Sequence, residues 1–232
     1  MIENKNGRAR YSDRLHAGSE LAVELRSSIS DQDPIVLAIP RGGVPVAASI
    51  ANDFRCELDL VIPRRIEAPN RPDVTLGAVT ADRTLVLNRG LVSELGLSDE
   101  QVEELSIPVW AEVERTQQAY RRGRPYPDLR GRVAVIVDDR LLSGYTMIAA
   151  VMSVRKLEPS RIVVAVPVAY LEGIERVRGY VDELVSLEIS TTAAHIGARF
   201  YANLTPVTDK EVIWTLDRFW AERPPTGYSE TF

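Results

Sequence analysis

Cysteine is almost missing from this chain. Cys56 is the single one, which excludes an internal disulfide and a cysteine-based metal cluster. It stands between Arg55 and Glu57 ahead of an apolar run, and reads as a small filler or a half-exposed thiol. Histidine is nearly as scarce. His195 has no second histidine or cysteine near it, so a structural or ligand-edge role is expected rather than metal ligation. No run of ~18 apolar residues is present to span a membrane, and Met1 to Arg8 contains no apolar signal core. A cytoplasmic location is the expectation. Positive charge is not in excess either: the net charge of −5 gives an average surface that attracts neither nucleic acid nor an anionic membrane. Internal repeats are absent as well.

What is there suits a globular protein. The 232 residues are 45% hydrophobic and 26% charged, enough to bury a substantial core and in keeping with one large domain or a domain with an appendage. Residues 1–17 are polar, with Tyr11 and Leu15 as candidate anchors, and an amphipathic helix is expected from near Ser19 to Ile29. Short, β-branched runs then read as buried strands at 35–39, 58–62, 133–137, 161–168 and 183–187. Helical patterns separate them at 44–53, from Ser98 towards Arg121 with a capping-box start and an interruption at Pro108, from Tyr145 to near Glu158, and at 171–177. A last helix is expected at 209–220, followed by a loose tail from Pro224. Pro63 to Asp73 reads as an exposed loop, and 76–79 with 84–87 as a β-hairpin excursion. Alternation of this kind implies an α/β fold, a doubly wound and mostly parallel sheet with right-handed crossovers.

The chemistry concentrates in Val133-Ala-Val-Ile-Val-Asp138-Asp139-Arg-Leu-Leu-Ser143-Gly144-Tyr-Thr146. A buried strand ends in two carboxylates, then a Ser-Gly turn opens a helix. Ligands of open parallel sheets sit beyond the carboxyl ends of the strands. Ser143, Gly144 and Thr146 stand where orphan amides and the helix dipole favour a phosphate. Asp138 and Asp139 can accept hydrogen bonds from sugar hydroxyls or hold a hard cation such as Mg²⁺. A sugar phosphate fits both. Pro40-Arg41-Gly42-Gly43 forms a second strand–loop–helix turn, either a close backbone approach to an anion aided by Arg41 or a plain tight turn. Arg64 and Arg65 end another strand, as anion contacts or as a solvated pair. The four arginines of 115–124 with Tyr120 read as an RNA patch or, the alternative adopted here, a solvated helix end; nucleic acid is not an expected partner.

Several motifs occur in a familiar order: Tyr11-Ser-Asp-Arg-Leu-His-Ala-Gly18, Leu37-Ala-Ile-Pro-Arg-Gly-Gly-Val-Pro-Val46, Arg64-Arg-Ile-Glu-Ala-Pro69, Leu76-Gly-Ala-Val79, Val137-Asp-Asp139 with Ser143-Gly-Tyr-Thr146, and Phe200-Tyr201 through Thr208-Asp-Lys-Glu-Val212. Over nearly its whole length the sequence resembles the type I phosphoribosyltransferase family, and within it stand-alone phosphoribosyltransferase-domain proteins of unassigned acceptor. The resemblance implies a single domain over 1–232, with a core of about 30–190 and a small hood from 1–29 and 191–232. It implies Mg²⁺-dependent transfer of a phosphoribosyl group from phosphoribosyl pyrophosphate to a nucleobase or similar nitrogen heterocycle, releasing pyrophosphate. It also implies a homodimer.

By the same resemblance Asp138 and Asp139 contact the ribose hydroxyls, directly or indirectly with Mg²⁺. Leu142, Ser143, Gly144, Tyr145 and Thr146 grip the 5′-phosphate. Pro40 to Gly43, with Arg41, Gly42 and Gly43, form the pyrophosphate loop. Arg64 and Arg65 are the basic pair, Arg65 joining Asp138 and Asp139 in catalysis, and 67–82 is a mobile β-hairpin flap. Hood residues 191–204, with His195, Phe200 and Tyr201, border the acceptor, where the aromatics either stack on a base or pack. Two positions depart from the family pattern. Arg140 replaces a small or aliphatic residue, and Leu142 replaces Ala, Ser, Thr or Val. Arg140 can compete for the acidic pair or add a donor to the ligand. These departures motivate a second expectation, a catalytically weak or inactive regulatory protein that binds phosphoribosyl pyrophosphate or a nucleotide on the same fold.

Overall fold

A computed structural model describes residues 9–29, 32–194, 196–223 and 228–229. The first half of the chain runs through α1 (Arg14–Ile29), β1 (Pro34–Ala38), α2 (Gly43–Phe54), β2 (Glu57–Leu60), β3 (Arg64–Ala68), β4 (Arg71–Val79), β5 (Leu85–Leu87), α3 (Arg89–Glu94) and α4 (Asp99–Arg121). The second half runs through β6 (Tyr126–Pro127), β7 (Val133–Val137), α5 (Tyr145–Arg155), β8 (Arg161–Tyr170), α6 (Leu171–Val177), β9 (Glu183–Ser190), α7 (Ile196–Phe200), α8 (Asp209–Glu222) and β10 (Tyr228–Ser229).

Strands β2, β1, β7, β8 and β9 lie side by side in that order, all parallel. Their apolar runs are unbroken because both faces are covered, and side chains alternate between the faces. Val133, Val135 and Val137 of β7 join a core built with α1, α2 and α8, whereas Ala134 and Ile136 join a second core built with α5 and α6. The doubly wound α/β architecture expected from the sequence is therefore present. Its winding reverses between β1 and β7: β1 leads through α2 to β2 on one side, and β7 through α5 to β8 on the other. A crevice opens where the two loops leave in opposite directions.

A separate antiparallel sheet, β3-β4-β5, stands beside the parallel one. The stretch expected as an exposed loop at 63–73 is largely strand. Ile66 and Ala68 turn inward while Arg65 and Glu67 face out. Pro63 and Pro69 bracket β3 rather than interrupt it, so proline content masked a period-two alternation.

Other boundaries shift for local reasons. α1 starts at Arg14, not near Ser19, because Asp13 Oδ1 accepts the amide of His16 and caps the helix. Leu21, Leu25 and Ile29 of α1 enter the main core, as do Val212 and Leu216 of α8. Neither helix is hood material, although the resemblance places 1–29 and 191–232 in a hood. What caps the ligand edge is narrower: Tyr11, Ile196, Phe200 and Tyr201 cluster around Val168 at the end of β8, and Tyr11 bridges to Tyr201. Leu15, the other candidate anchor, is exposed. α4 does open with a Ser98–Gln101 capping box, but it runs unbroken through Pro108. Tyr126–Pro127 is not a plain linker, since it pairs with Tyr228–Ser229, which lies within the stretch expected as a loose tail. Residues 224–227 lie outside the described residues, as does His195. Among the described residues no helix is long and apolar enough to cross a membrane.

Candidate active site

The crevice at the β1/β7 switch holds a cavity of about 550 Å³. Ten sequence-predicted residues line it together: Arg41 and Gly42 after β1, Arg64 and Arg65 at β3, Asp138, Asp139 and Arg140 after β7, then Leu142, Ser143 and Thr146. Gly43, Gly144 and Tyr145 do not line it. Gly43 is the first residue of α2, with its amide donating to Ile39 O. The Tyr145 ring lies under the Arg176 guanidinium at 4.8 Å. What Gly144 and Tyr145 offer is backbone.

The two carboxylates differ in their surroundings. Asp139 is 5% exposed, and its Oδ2 accepts from Arg14 Nε at 2.8 Å. Its own carbonyl accepts from the Tyr201 hydroxyl at 2.7 Å. Asp138 points one oxygen back to accept the amide of Asp139 at 2.7 Å. Burial raises the Asp138 carboxyl well above its ordinary range, and the adjacent Asp139 charge raises it further. Arg140 reaches Asp139 only loosely, at 3.9 Å. The competition expected from Arg140 for the acidic pair falls instead to Arg14.

Backbone geometry shapes the loops after β1 and β7. A Cβ on Gly42 would run into the Asp139 carboxylate, so only glycine lets the β1 loop lie against the acidic pair. Gly144, with φ of +87°, turns the chain into α5, whose start has no side-chain cap. Its first amides are therefore left for an anion. The turn is clamped from behind: Leu141 N donates to Val168 O, Tyr170 N donates to Leu141 O, and Arg176 donates to Ser143 O. The Leu142 side chain lines the cavity and is 39% exposed, and the carbonyl of that residue packs on Gly173.

The basic side is held by acids that sequence spacing did not flag. Arg64 pairs with Glu112 of α4 at 3.3 Å, and Arg41 with Asp209 of α8 at 3.4 Å. Asp209 also accepts from the Tyr120 hydroxyl at 2.5 Å. Arg65 pairs with Glu67 on its own strand. Arg14 was likewise missed, although it stands in the quoted Tyr11–Gly18 motif; its role depends on a partner in a distant loop. Phe200 and Tyr201 pack in the hood cluster rather than against the cavity. Of the four arginines at 115–124, Arg121 is buried against Asp59, Arg122 pairs with Asp217 and Arg124 lies over Trp220. Cys56 is buried and its thiol is pushed up to about 12, mainly by burial, so it is not a nucleophile at neutral pH.

Fold and site together define a parallel α/β protein whose topological switch point holds a cavity lined by paired carboxylates, arginines and the start of a helix. Comparison with known proteins makes this more specific. Residues 10–203 match the family profile described as the phosphoribosyl transferase domain. The chain is 35% identical over 208 residues to provisionally named phosphoribosyl transferases from two strains of Mycobacterium tuberculosis. That match covers 90% of this chain but 46% of theirs, so the chain spans about half the length of these relatives. TT1426 from Thermus thermophilus superposes with a TM-score of 0.76 at 36% identity, over 90% of this chain and 99% of that one. AQ2163 from Aquifex aeolicus, with a TM-score of 0.50 at 14% identity over 88% and 86% of the two chains, shares the fold alone. The chain belongs to the phosphoribosyl transferase domain family.

Proposed function

We propose that this chain transfers a phosphoribosyl group from phosphoribosyl pyrophosphate to a nitrogen heterocycle and releases pyrophosphate. The observation that carries the proposal is the convergence of Asp138 and Asp139, the uncapped start of α5 and the Arg41-Gly42 loop on one cavity. In this reading the α5 amides with Ser143 and Thr146 hold the 5′-phosphate. Asp138 and Asp139 accept the ribose hydroxyls, Arg14 fixing the orientation of Asp139. Arg41, Arg64 and Arg65 stabilise the pyrophosphate as the C1′–O bond breaks and negative charge gathers on it. The β3–β4 hairpin, whose Thr75 lines the cavity, closes over the reacting carbon and keeps water from consuming the donor.

The residues also suit Mg²⁺. Two adjacent carboxylates face the cavity, and the charge of one is disfavoured by burial and by its neighbour, an arrangement that a hard cation relieves. Asp138 would hold the ion, with ligand oxygens and water completing its shell, because Arg14 already occupies Asp139. When bound, Mg²⁺ neutralises charge on the pyrophosphate. A homodimer and a single domain over 1–232 belong to the same proposal and rest on the family resemblance, while the cytoplasmic setting rests on the expectation from the sequence.

The test is pyrophosphate release from phosphoribosyl pyrophosphate and Mg²⁺ across a panel of heterocycles. Asp138→Asn with Asp139→Asn should remove turnover; an undiminished rate in that double variant overturns the proposal. Tight donor binding without release from any acceptor would assign the chain to the regulatory alternative.

A further inference from the structure

We infer that the acceptor is an anionic nitrogen heterocycle whose carboxylate is held by Arg140 at the hood end of the cavity. The inference rests on the phosphoribosyl-transfer reading and supplies its substrate class. The donor's three parts account for the loop after β1, for Asp138, Asp139 and Leu142 to Thr146 after β7, and for the β3 arginines. The wall left over is made by Arg14, Arg140, Pro206 and Val207. Among the described residues it holds no aromatic ring to stack a base, and no carboxylate beyond Asp138 and Asp139 to accept an amino group's hydrogens. The hood aromatics do not fill that gap, since Tyr201 is 3% exposed with its hydroxyl donating to Asp139 O. What the wall presents is guanidinium and apolar surface.

Of its two guanidiniums, one is already committed. Arg14 donates from Nε to Asp139 and from Nη1 to Thr205 O. Arg140 makes no hydrogen bond among the described residues, and its sole ion pair there is the loose one to Asp139 at 3.9 Å. The hood leaves room for its fork: a Cβ on Gly197 of α7 would lie 2.9 Å from Arg140 Nη1. The guanidinium thus stands between α7 of the hood and Asp139, one of the carboxylates assigned to the ribose. A planar carboxylate accepts two parallel N–H bonds from such a fork, with the heterocycle ring against Pro206 and Val207. In the reaction the C1′–O bond breaks and pyrophosphate leaves with the electron pair. The ring nitrogen's lone pair forms the C1′–N bond, and the carboxylate is unchanged throughout.

Matched acceptors that differ only in charge test this on the full chain with donor and Mg²⁺: pyridine-3-carboxylate against pyridine-3-carboxamide, and a pyrimidine carboxylate against its amide. Binding by saturation-transfer NMR or calorimetry is read beside pyrophosphate release. A carboxylate member should bind about tenfold or more tightly than its amide, the range of a charge-assisted hydrogen bond. Arg140→Leu should bring that ratio near one, and Arg140→Lys should restore part of it. Gly197→Ala, which displaces the fork without changing charge, should also lower the ratio, and stands in if Arg140→Leu does not fold. Equal binding of both members, or a preference that survives Arg140→Leu, overturns the inference. If only the neutral members release pyrophosphate, transfer stands and this assignment falls. If carboxylates bind through Arg140 with no release from any acceptor, transfer falls and the anion site stands.

Discussion

Asp138 and Asp139 are neighbours in sequence but carry different energetic burdens. Asp139 is compensated by Arg14. Asp138 has one amide donor, is largely removed from water, and sits beside a like charge. Its raised proton affinity means that the ionised form works against folding at neutral pH. The sign follows from linkage: the protonated form is favoured by the fold, so stability falls as pH rises from the unfolded carboxylate range, about 4, towards the raised folded value, and the penalty is complete above it. Asp138→Asn keeps an acceptor oxygen for the Asp139 amide and removes the charge. It should raise the midpoint of thermal unfolding at pH 7 by about 2–4 °C, the shift that ~1 kcal/mol produces in a chain of this size, while turnover is lost. Scanning calorimetry from pH 4 to 8 checks it: the gain should vanish at the acid end, where Asp138 carries a proton in both states. A gain independent of pH would show that the carboxylate charge is not its source.

At the scale of elements, the β3-β4-β5 sheet is tethered at one end. Asp82 lies in the β4–β5 connection with a side chain only 12% exposed. It accepts from Thr80 and Thr84 across the turn and from Ser153 on α5, and pairs with Lys156 at 2.7 Å. Burial alone would raise its carboxyl, but Lys156 and the three hydroxyls outweigh that and hold it below the ordinary range. In the proposed reaction, closure over the cavity is therefore expected at the β3–β4 end, near Asn70 with its φ of 59°, and not at the tether. Asp82→Ala should cost about 2 kcal/mol in urea unfolding at pH 7, within the range for hydrogen bonds to a charged group. It should also speed amide exchange in β4 and β5. Because the folded carboxyl is depressed, the contribution of Asp82 is present above the unfolded range and is lost as pH falls through the folded value. The gap between wild type and variant should therefore narrow in acid. Sequence showed this hairpin only in part. Leu76–Val79 and Leu85–Leu87 alternate visibly, but the partners that tie Asp82 to α5 and its end, Ser153 and Lys156, are 71 and 74 positions away, where no local spacing can point.

Across the whole molecule, the parallel sheet and its switch-point loops were legible because each follows from local pattern: a buried strand, an anion turn, a helix start. The supports of the basic side were not, since Glu112 of α4 reaches Arg64, and Asp209 of α8, itself held by Tyr120, reaches Arg41. α4 in turn is fixed to the sheet by a pair that composition hid, because an arginine in a charged helix end reads as solvated. Arg121 and Asp59 are both nearly inaccessible, with Arg121 Nη1 and Nη2 both donating to the carboxylate. The same guanidinium donates to Arg124 O and Pro125 O and lies 3.9 Å from the centre of the Tyr126 ring. Burial raises the Asp59 carboxyl, and Arg121 opposes that shift through charge and hydrogen bonding. Removing the arginine alone leaves a buried carboxylate with its main compensation gone. Arg121→Leu should thus destabilise by about 3–5 kcal/mol at pH 7, the usual cost of breaking a buried pair from one side. Its deficit should shrink as pH falls, because the stranded Asp59 takes up a proton in the folded state. Asp59→Leu combined with Arg121→Leu removes both charges and should recover most of the loss, short of what the carbonyls of Arg124 and Pro125 forfeit. Urea unfolding of the two variants at pH 5 and 7 decides the matter. A double variant no more stable than the single one would mean that α4 is held by its carbonyl and ring contacts, and that the Asp59 charge is not the source of the loss.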